Sequence, residues 1–419
     1  FLERCLSFCG SGGEVAVVTP LHWLFLRSYE ELRRSTLKTT AFELVGLLGS
    51  GAFRTIGGEV VNVALLAISN TTPAPSHRIR GLDATGESDV EDKIGHLKQA
   101  RLETTLQERQ LSNPDARVTL EKIITGKLLQ DYADPLQGIV TGDISRYRRF
   151  FWELPTIGSS WRKFQGTVSE TTFYGGRETV LWWKNGGEDL IDNPKARVQG
   201  MAAWGRKGIS VRQVGNLPAT LYTGEAFDIS AYAVVPKNPD HLEAIWAFCS
   251  SDEFNNAVRQ IDKKLNVTNA TLGKVSFDLG YWQDVADEMG ALPEPYSNDA
   301  TQWLFEGNPA GSTDPLQVAV ARLVGYQWPE QADDDLTPLA DEDGILCLPS
   351  VAGEAPAAER LRKLLAEAYG DDWSLEQQRS LVAEVDFEGK SLHEWLRDGF
   401  FIQHCKLFGN RPFIWHIWD

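Results

Sequence analysis

Residues 42–68 read FELVGLLGSGAFRTIGGEVVNVALLAI, two apolar runs joined by a glycine-rich loop. The runs 42–48 and 60–68 are short and almost wholly apolar, which predicts strands buried on both faces. A third such run, EVAVVT at 14–19, is closed by Pro20. Between the first two runs in chain order, residues 28–37 are charged and amphipathic, and predict a helix. Residues 1–8 predict another, ended by the glycine-rich turn at 10–13. Apolar strands separated by a helix predict an α/β sheet covered on both faces. Three strands are too few for a complete doubly wound domain, so residues 1–75 read as half of one.

The loop itself invites a functional reading. Gly49-Ser50-Gly51 follows a strand, as a cofactor or phosphate turn does, but Leu47 and Leu48 offer no polar group at the strand end, and a strand-to-loop turn is the better reading. Phe53 comes next. An aromatic at the edge of a sheet can stack on a flipped base, or it can pack beneath its own loop, and the local sequence leaves both open.

Outward from this segment the texture changes twice. Residues 71–76 form a Thr- and Pro-containing linker, and 88–133 are charged and helix-prone, with a break at Asn113-Pro114-Asp115. Leu120, Ile123, Ile124, Leu128 and Leu129 recur at helical spacing, so 76–137 predicts a helical connector. From Gly138 to about Tyr281, Trp, Tyr, Phe and Gly become frequent between short β-prone runs, which predicts a mixed α+β domain over 138–290 with helices near 241–250 and 252–262. Residues 291–419 are acidic and helical. Residues 331–343 predict a solvated loop, and 355–368 an amphipathic helix with Leu361, Leu364 and Leu365 inward.

The chain is 419 residues long with a formal net charge of −17. Residues 291–419 carry 23 acidic and nine basic side chains, so −14 of the −17 lies there. The rest is near neutral, and local basic clusters can still meet phosphates. No apolar run approaches the length of a membrane span. The five cysteines form no CxxC pair, which fits reduced thiols and a cytoplasmic setting. The seven histidines are scattered, none in a GxSxG or HExxH context, and no metal-ligand spacing occurs.

Three clusters suit nucleic acid. In Tyr174-Gly175-Gly176-Arg177 the glycines permit close backbone approach, while Tyr and Arg offer stacking and a bidentate fork. Trp204-Gly205-Arg206-Lys207 joins an aromatic to two adjacent cations. Asn266, Thr268, Asn269 and Thr271 are uncharged hydrogen-bonders suited to base edges or phosphates. The plainer readings are turn glycines, a solvated cation pair and a helix cap.

Longer runs carry a resemblance. FLERCLSFCGSGGEVAVVTPLHWLFLRSYEELR, FELVGLLGSGAF and GGEVVNVALLAI resemble the second half of the catalytic domain in large, amino-type, adenine-specific DNA methyltransferases of bacterial restriction and phage-defence systems, the BREX and DISARM kind. GIVTGDISRYRRFFWE at 138–153, then TTFYGGRETVLWW, AAWGRKGISV and IDKKLNVTNATL, are similar to that family's target-recognition domain, and KLFGNRPFIWHIWD to its C-terminal signature. The resemblance implies the C-terminal half of a Rossmann-like methyltransferase sheet, then the connector, a target-recognition domain and the helical C-terminal region. It implies Phe53 as the residue stacking on the flipped adenine, double-stranded DNA as partner alongside other defence-system proteins, and S-adenosylmethionine as methyl donor.

Two departures qualify this. The family's catalytic loop reads Asn/Asp-Pro-Pro-Tyr/Phe, whereas Asn113, Asn193, Asn238 and Asn308 each precede a proline followed by Asp, Lys, Asp or Ala. The glycine-rich cofactor strand and its acidic partner are also missing, and family order places both before residue 1. The expectation is that this chain alone does not methylate and supplies DNA recognition and the stacking loop, the cofactor being bound mainly by preceding residues. The alternative is a non-catalytic DNA-specificity subunit working with a separate methyltransferase chain; a third reading is a protein-interaction scaffold.

Overall fold

An apolar strand covered on both faces still needs main-chain partners on both edges, and in the computed structural model the strand over 42–48 has them. The structure describes residues 1–53, 62–87, 89–120, 127–262 and 264–417. The chain forms two units, Phe1–Asp131 with Asp252–Asp278, and Tyr132–Ser251 with Leu279–Asp419.

In the first unit β1 (Glu14–Pro20), β2 (Ala41–Gly49), β3 (Val63–Ser69), β4 (Arg78–Asp83) and β5 (Glu103–Leu106) build one sheet in the order β1-β3-β2-β4-β5. β3 runs antiparallel to β1 and β2, β4 parallel to β2, and β5 antiparallel to β4. The three strands expected from apolar runs are present; residues 60 and 61 lie outside the described residues. Phe42, Val45, Leu66, Ile68 and Ile79 form the core with Leu24 and Leu37.

Residues 76–137 depart from the helical connector expected there, because β4 and β5 extend the sheet to five strands. RIRGLD alternates charged and apolar residues, and ETTL is mostly polar, so neither shows as an apolar run; strands with one wet face are written this way. The helix Val90–Gln99 lies between them. The helical run expected from Leu120 onward falls mostly on 121–126, outside the described residues. At Gly81 a Cβ would come within 2.6 Å of the Val45 carbonyl oxygen, so glycine allows β4 its place beside β2.

Polar side chains secure these elements. Buried Gln107 donates from Nε2 to the Leu37 and Thr40 carbonyls, at 2.8 and 2.7 Å, and accepts from the Phe42 amide at 2.8 Å. It thereby joins the end of the helix Glu30–Thr39 to the start of β2. Arg33, fully buried, donates to the carbonyls of Trp23, Leu26, Asp115 and Ala116. Burial lowers its pKa to about 10.

The chain returns to this unit at the helices Asp252–Ile261 and Asn269–Gly273. The Leu129 amide donates to the Val275 carbonyl and the Phe277 amide to the Lys127 carbonyl, at 3.0 and 2.9 Å. Asp115 pairs with Lys274 and, at 3.3 Å, with Arg117. Burial alone would raise the Asp115 pKa, but bonds and charge from Lys274 and Arg117 outweigh it and hold the carboxyl below its ordinary range.

The second unit holds two four-stranded sheets. One is antiparallel in the order β11-β10-β13-β6, from β6 (Ala133–Gln137), β10 (Gly208–Arg212), β11 (Ala219–Tyr222) and β13 (Ala231–Pro236). The other runs β12-β8-β9-β7, from β7 (Arg148–Phe150), β8 (Trp161–Gln165), β9 (Thr179–Trp182) and β12 (Ala226–Phe227). The helix Ala357–Tyr369 forms as expected, with Leu361, Leu364 and Leu365 fully buried. These leucines share one core with Phe151, Trp152, Val180, Trp303 and Trp395. The acidic helical region and the strand-rich segment thus belong to one unit, not two separated near residue 290. Of the two helices expected around 241–262, Leu242–Cys249 belongs to the second unit and Asp252–Ile261 to the first.

At the C-terminal end, buried His404 accepts from the Phe413 and Ile414 amides at Nε2 and faces the Gln317 Oε1 through Nδ1, 3.2 Å away. Burial lowers its pKa from 6.5 to about 4.

Two outcomes follow for stability. Asp115→Ala leaves Lys274 and Arg117 buried without their partner and should cost about 3 kcal/mol in denaturant unfolding. The folded His404 takes up its proton only at lower pH than the unfolded one. Its stabilisation is therefore whole above about pH 6.5 and is lost as pH falls towards 4, by up to about 3 kcal/mol. Melting curves at pH 7 and 5 should show His404→Gln losing less stability over that interval than the parent; equal losses would refute the assignment.

Candidate nucleic-acid interface

The Tyr174–Arg177 turn lies between β8 and β9. Gly176 has φ +71°, and a Cβ there would meet Gln165 Nε2 at 2.8 Å, so both conformation and space require glycine. Gln165 Nε2 donates to the Gly175 carbonyl at 2.8 Å, and the Gly175 amide donates to Thr220 Oγ1 at 3.1 Å.

Arg177 does not offer its fork outward, as the sequence suggested. It is 0% exposed, and donates to the carbonyls of Gly175 and Leu221 at 3.0 and 2.6 Å. The guanidinium carbon stands 5.2 Å from the Tyr174 ring centre and 5.5 Å from that of Trp303. Burial lowers its pKa to about 10, with Glu225, Tyr174 and Glu178 opposing. Tyr174 donates from its hydroxyl to the Pro293 carbonyl at 2.7 Å. The stacking and the fork inferred from sequence both exist, spent on the protein's own groups.

The second cluster is more exposed. Trp204 is half-buried, with Trp183 5.0 Å away edge-on and the Arg162 guanidinium 4.8 Å over its ring. Gly205 is exposed and accepts φ +74°. Arg206 and Lys207 are both exposed. Arg206 donates to the Pro236 carbonyl at 2.8 Å, while Lys207 lines a cavity of about 440 Å³ with Tyr174, Thr223, Asp240, Glu243 and Glu294. The cation is thus set among carboxylates.

The remaining residues lie in the first unit. Thr268 caps the helix Asn269–Gly273, accepting from the Thr271 amide at 3.3 Å. Thr271 is buried, its hydroxyl 3.4 Å from Asp262 Oδ2. Asn266 and Thr268 are exposed and Asn269 half-buried. Phe53 is 43% exposed, following Gly49 and Gly51, both at φ +70°. Among the described residues no group of three His, Cys, Asp or Glu could hold a metal ion.

Sequence reasoning gave no site role to residues 167–172 and Arg212, which wall an open groove of about 610 Å³ beside the Tyr174 turn. The available signal was the hydroxyl-rich run TVSETT directly upstream of that turn.

Set beside known proteins, the sequence is related to adenine-specific methyltransferases. It is 23% identical over 435 residues to the adenine-specific methyltransferase PglX of Lacticaseibacillus casei (strain Zhang), covering 90% of this chain and 34% of that protein. The chain thus spans about a third of that relative's length. No family model matches it. Among solved structures, the Type IIL restriction-modification enzyme MmeI in complex with DNA is similar over 94% of this chain and 50% of its own, at 10% identity and a TM-score of 0.38. The Type ISP restriction-modification enzyme LlaGI, in a nuclease-deletion form with a DNA substrate mimic, is similar over 73% and 31%, at 10% identity and 0.41. Likeness at this level does not extend to ligands or chemistry. Among the described residues no helix is long and apolar enough to cross a membrane.

Arg177→Ala should cost about 3 kcal/mol in denaturant unfolding, since the Gly175 and Leu221 carbonyls lose their buried donor. A variant of unchanged stability would return Arg177 to the list of free DNA-contacting groups.

Proposed function

We propose that this chain is the target-recognising part of a site-specific DNA adenine methyltransferase of a restriction or phage-defence system. The observation that carries the reading is the match to PglX along nine-tenths of the chain. Exposed Trp204-neighbouring cations Arg206 and Lys207, together with exposed Asn266 and Thr268, supply groups suited to duplex DNA. Residues 1–75 with β4 and β5 are read as the C-terminal part of the Rossmann-like catalytic sheet, 138–290 as the target-recognition domain and 291–419 as a helical C-terminal region. Phe53 is proposed to stack on the flipped adenine, its exposure leaving the ring free to do so.

The reaction is methyl transfer from S-adenosylmethionine to the adenine exocyclic amine. The Asn-Pro-Pro-Tyr motif that this chemistry uses does not occur in the chain, so the catalytic step and most of the donor's binding are assigned to the rest of the complete protein. A non-catalytic specificity subunit paired with a separate methyltransferase chain is the second reading, favoured by the same missing Asn-Pro-Pro-Tyr motif.

Residues 1–419 alone should transfer no methyl group to DNA in a radiolabelled-donor assay; measurable transfer would sink the proposed division of labour. In the complete protein, Arg206→Ala with Lys207→Ala should weaken DNA binding for all sequences and reduce the slope of log K against log salt by up to about two. An unchanged slope removes the pair from the contacts.

A further inference from the structure

Residues 167–172 and Arg212 combine a backbone held in place with several side-chain polar groups left without a partner. The groove they line is concave and measures about 610 Å³. The side chains of Thr167, Ser169, Glu170, Thr172 and Arg212 have no hydrogen bond, ion pair or ring contact among the described residues. Ser169, Glu170 and Thr172 are exposed, and Arg212, the last residue of β10, is half-buried.

The loop is nevertheless pinned. Thr171 Oγ1 accepts from the Ala219 amide at 3.2 Å, and the Thr172 amide donates to the Ala219 carbonyl at 3.1 Å. Val168 is buried under Gly175, where an added Cβ would come within 2.9 Å of its Cγ1. The Arg212 amide donates to the Pro218 carbonyl at 3.0 Å. Such a wall loses little conformational freedom when it binds.

The chemistry of the groups narrows the ligand. Hydroxyls donate and accept, a carboxylate accepts from exocyclic amines, and a guanidinium donates two parallel bonds, which is the mixture that base edges in a DNA major groove require. Arginines and hydroxyls also contact phosphates, but Glu170 and Glu178 place two carboxylates beside one arginine here, which repel a phosphate and suit the amine donors of base edges. We infer that this groove reads base edges of duplex DNA, with Arg212 as a guanine-reading residue and Ser169, Glu170 and Thr172 setting preference at adjoining pairs. The inference rests on the proposed DNA-recognition role and names the surface that performs it.

The test uses the complete protein and a library of duplexes carrying a randomised central segment, with bound duplexes recovered and sequenced. The parent should select a defined sequence. Arg212→Ala should relax selection at one base pair, with about a 10-fold loss of preference there, while affinity for unselected duplex and its salt slope stay unchanged. Ser169→Ala with Thr172→Val should relax a different position, and melting temperatures equal to the parent's show that folding is intact. If Arg212→Ala weakens binding to all sequences alike and lowers the salt slope by about one, the arginine meets a phosphate and the inference falls. It falls equally if a sequence-selective parent and both variants select identically. A parent that binds no duplex overturns the recognition role itself, and the groove's assignment with it.

Discussion

A guanidinium taken out of water must be surrounded by acceptors, and in the second unit that requirement at Arg177 organises the turn between β8 and β9. Its bonds reach the Gly175 and Leu221 carbonyls, and its face lies between Tyr174 and Trp303. Its own amide accepts no freedom either, donating to Gln302 Oε1 at 2.7 Å, while the Trp303 amide donates to the Arg177 carbonyl at 2.9 Å. One residue therefore connects a strand-rich sheet to the helical region at 291–419, its main chain bonding Gln302 and Trp303 while its guanidinium faces the Trp303 ring. What remains free near the turn is what Arg177 does not use, and that is the hydroxyl-rich loop before it.

This explains why sequence drew attention to a turn whose arginine the protein uses for itself. Two glycines between an aromatic and an arginine mark a close approach of backbone, but they do not say whether the approaching group is a ligand or the protein's own chain. Burial decides, and burial of Arg177 depends on Leu221 and Trp303, far away in sequence. The apolar strand at 42–48 was legible because coverage on both faces leaves a run of like residues, whereas β1, at the sheet edge, buries Val15 and Thr19 and leaves Ala16 and Val18 exposed despite its equally apolar run. β4 and β5 were not, because their wet faces interrupt the run with Arg78, Arg80 and Glu103. The helix carrying Leu361, Leu364 and Leu365 was legible because its period repeats within a few turns.

Membership of a unit was less legible still. Residues 252–278 join the first unit through the Asp115–Lys274 pair, which spans 159 positions, and through main-chain bonds between 127–129 and 275–277. No local pattern announces such a return.

Charge then constrains how either unit can meet DNA. The excess of acid in 291–419 belongs to the same unit as Arg206, Lys207 and Arg212, so a duplex approaching that unit meets a repulsive far field and a few local cations. Within a Debye length of about 8 Å at physiological salt the local groups dominate. Lys207 shares its cavity with Asp240, Glu243 and Glu294, whereas hydroxyls carry no net charge for neighbouring carboxylates to offset. On the proposed DNA-recognition role, a surface of this composition would bind through directional hydrogen bonds more than through net attraction, with discrimination between sequences as the larger share of the interaction.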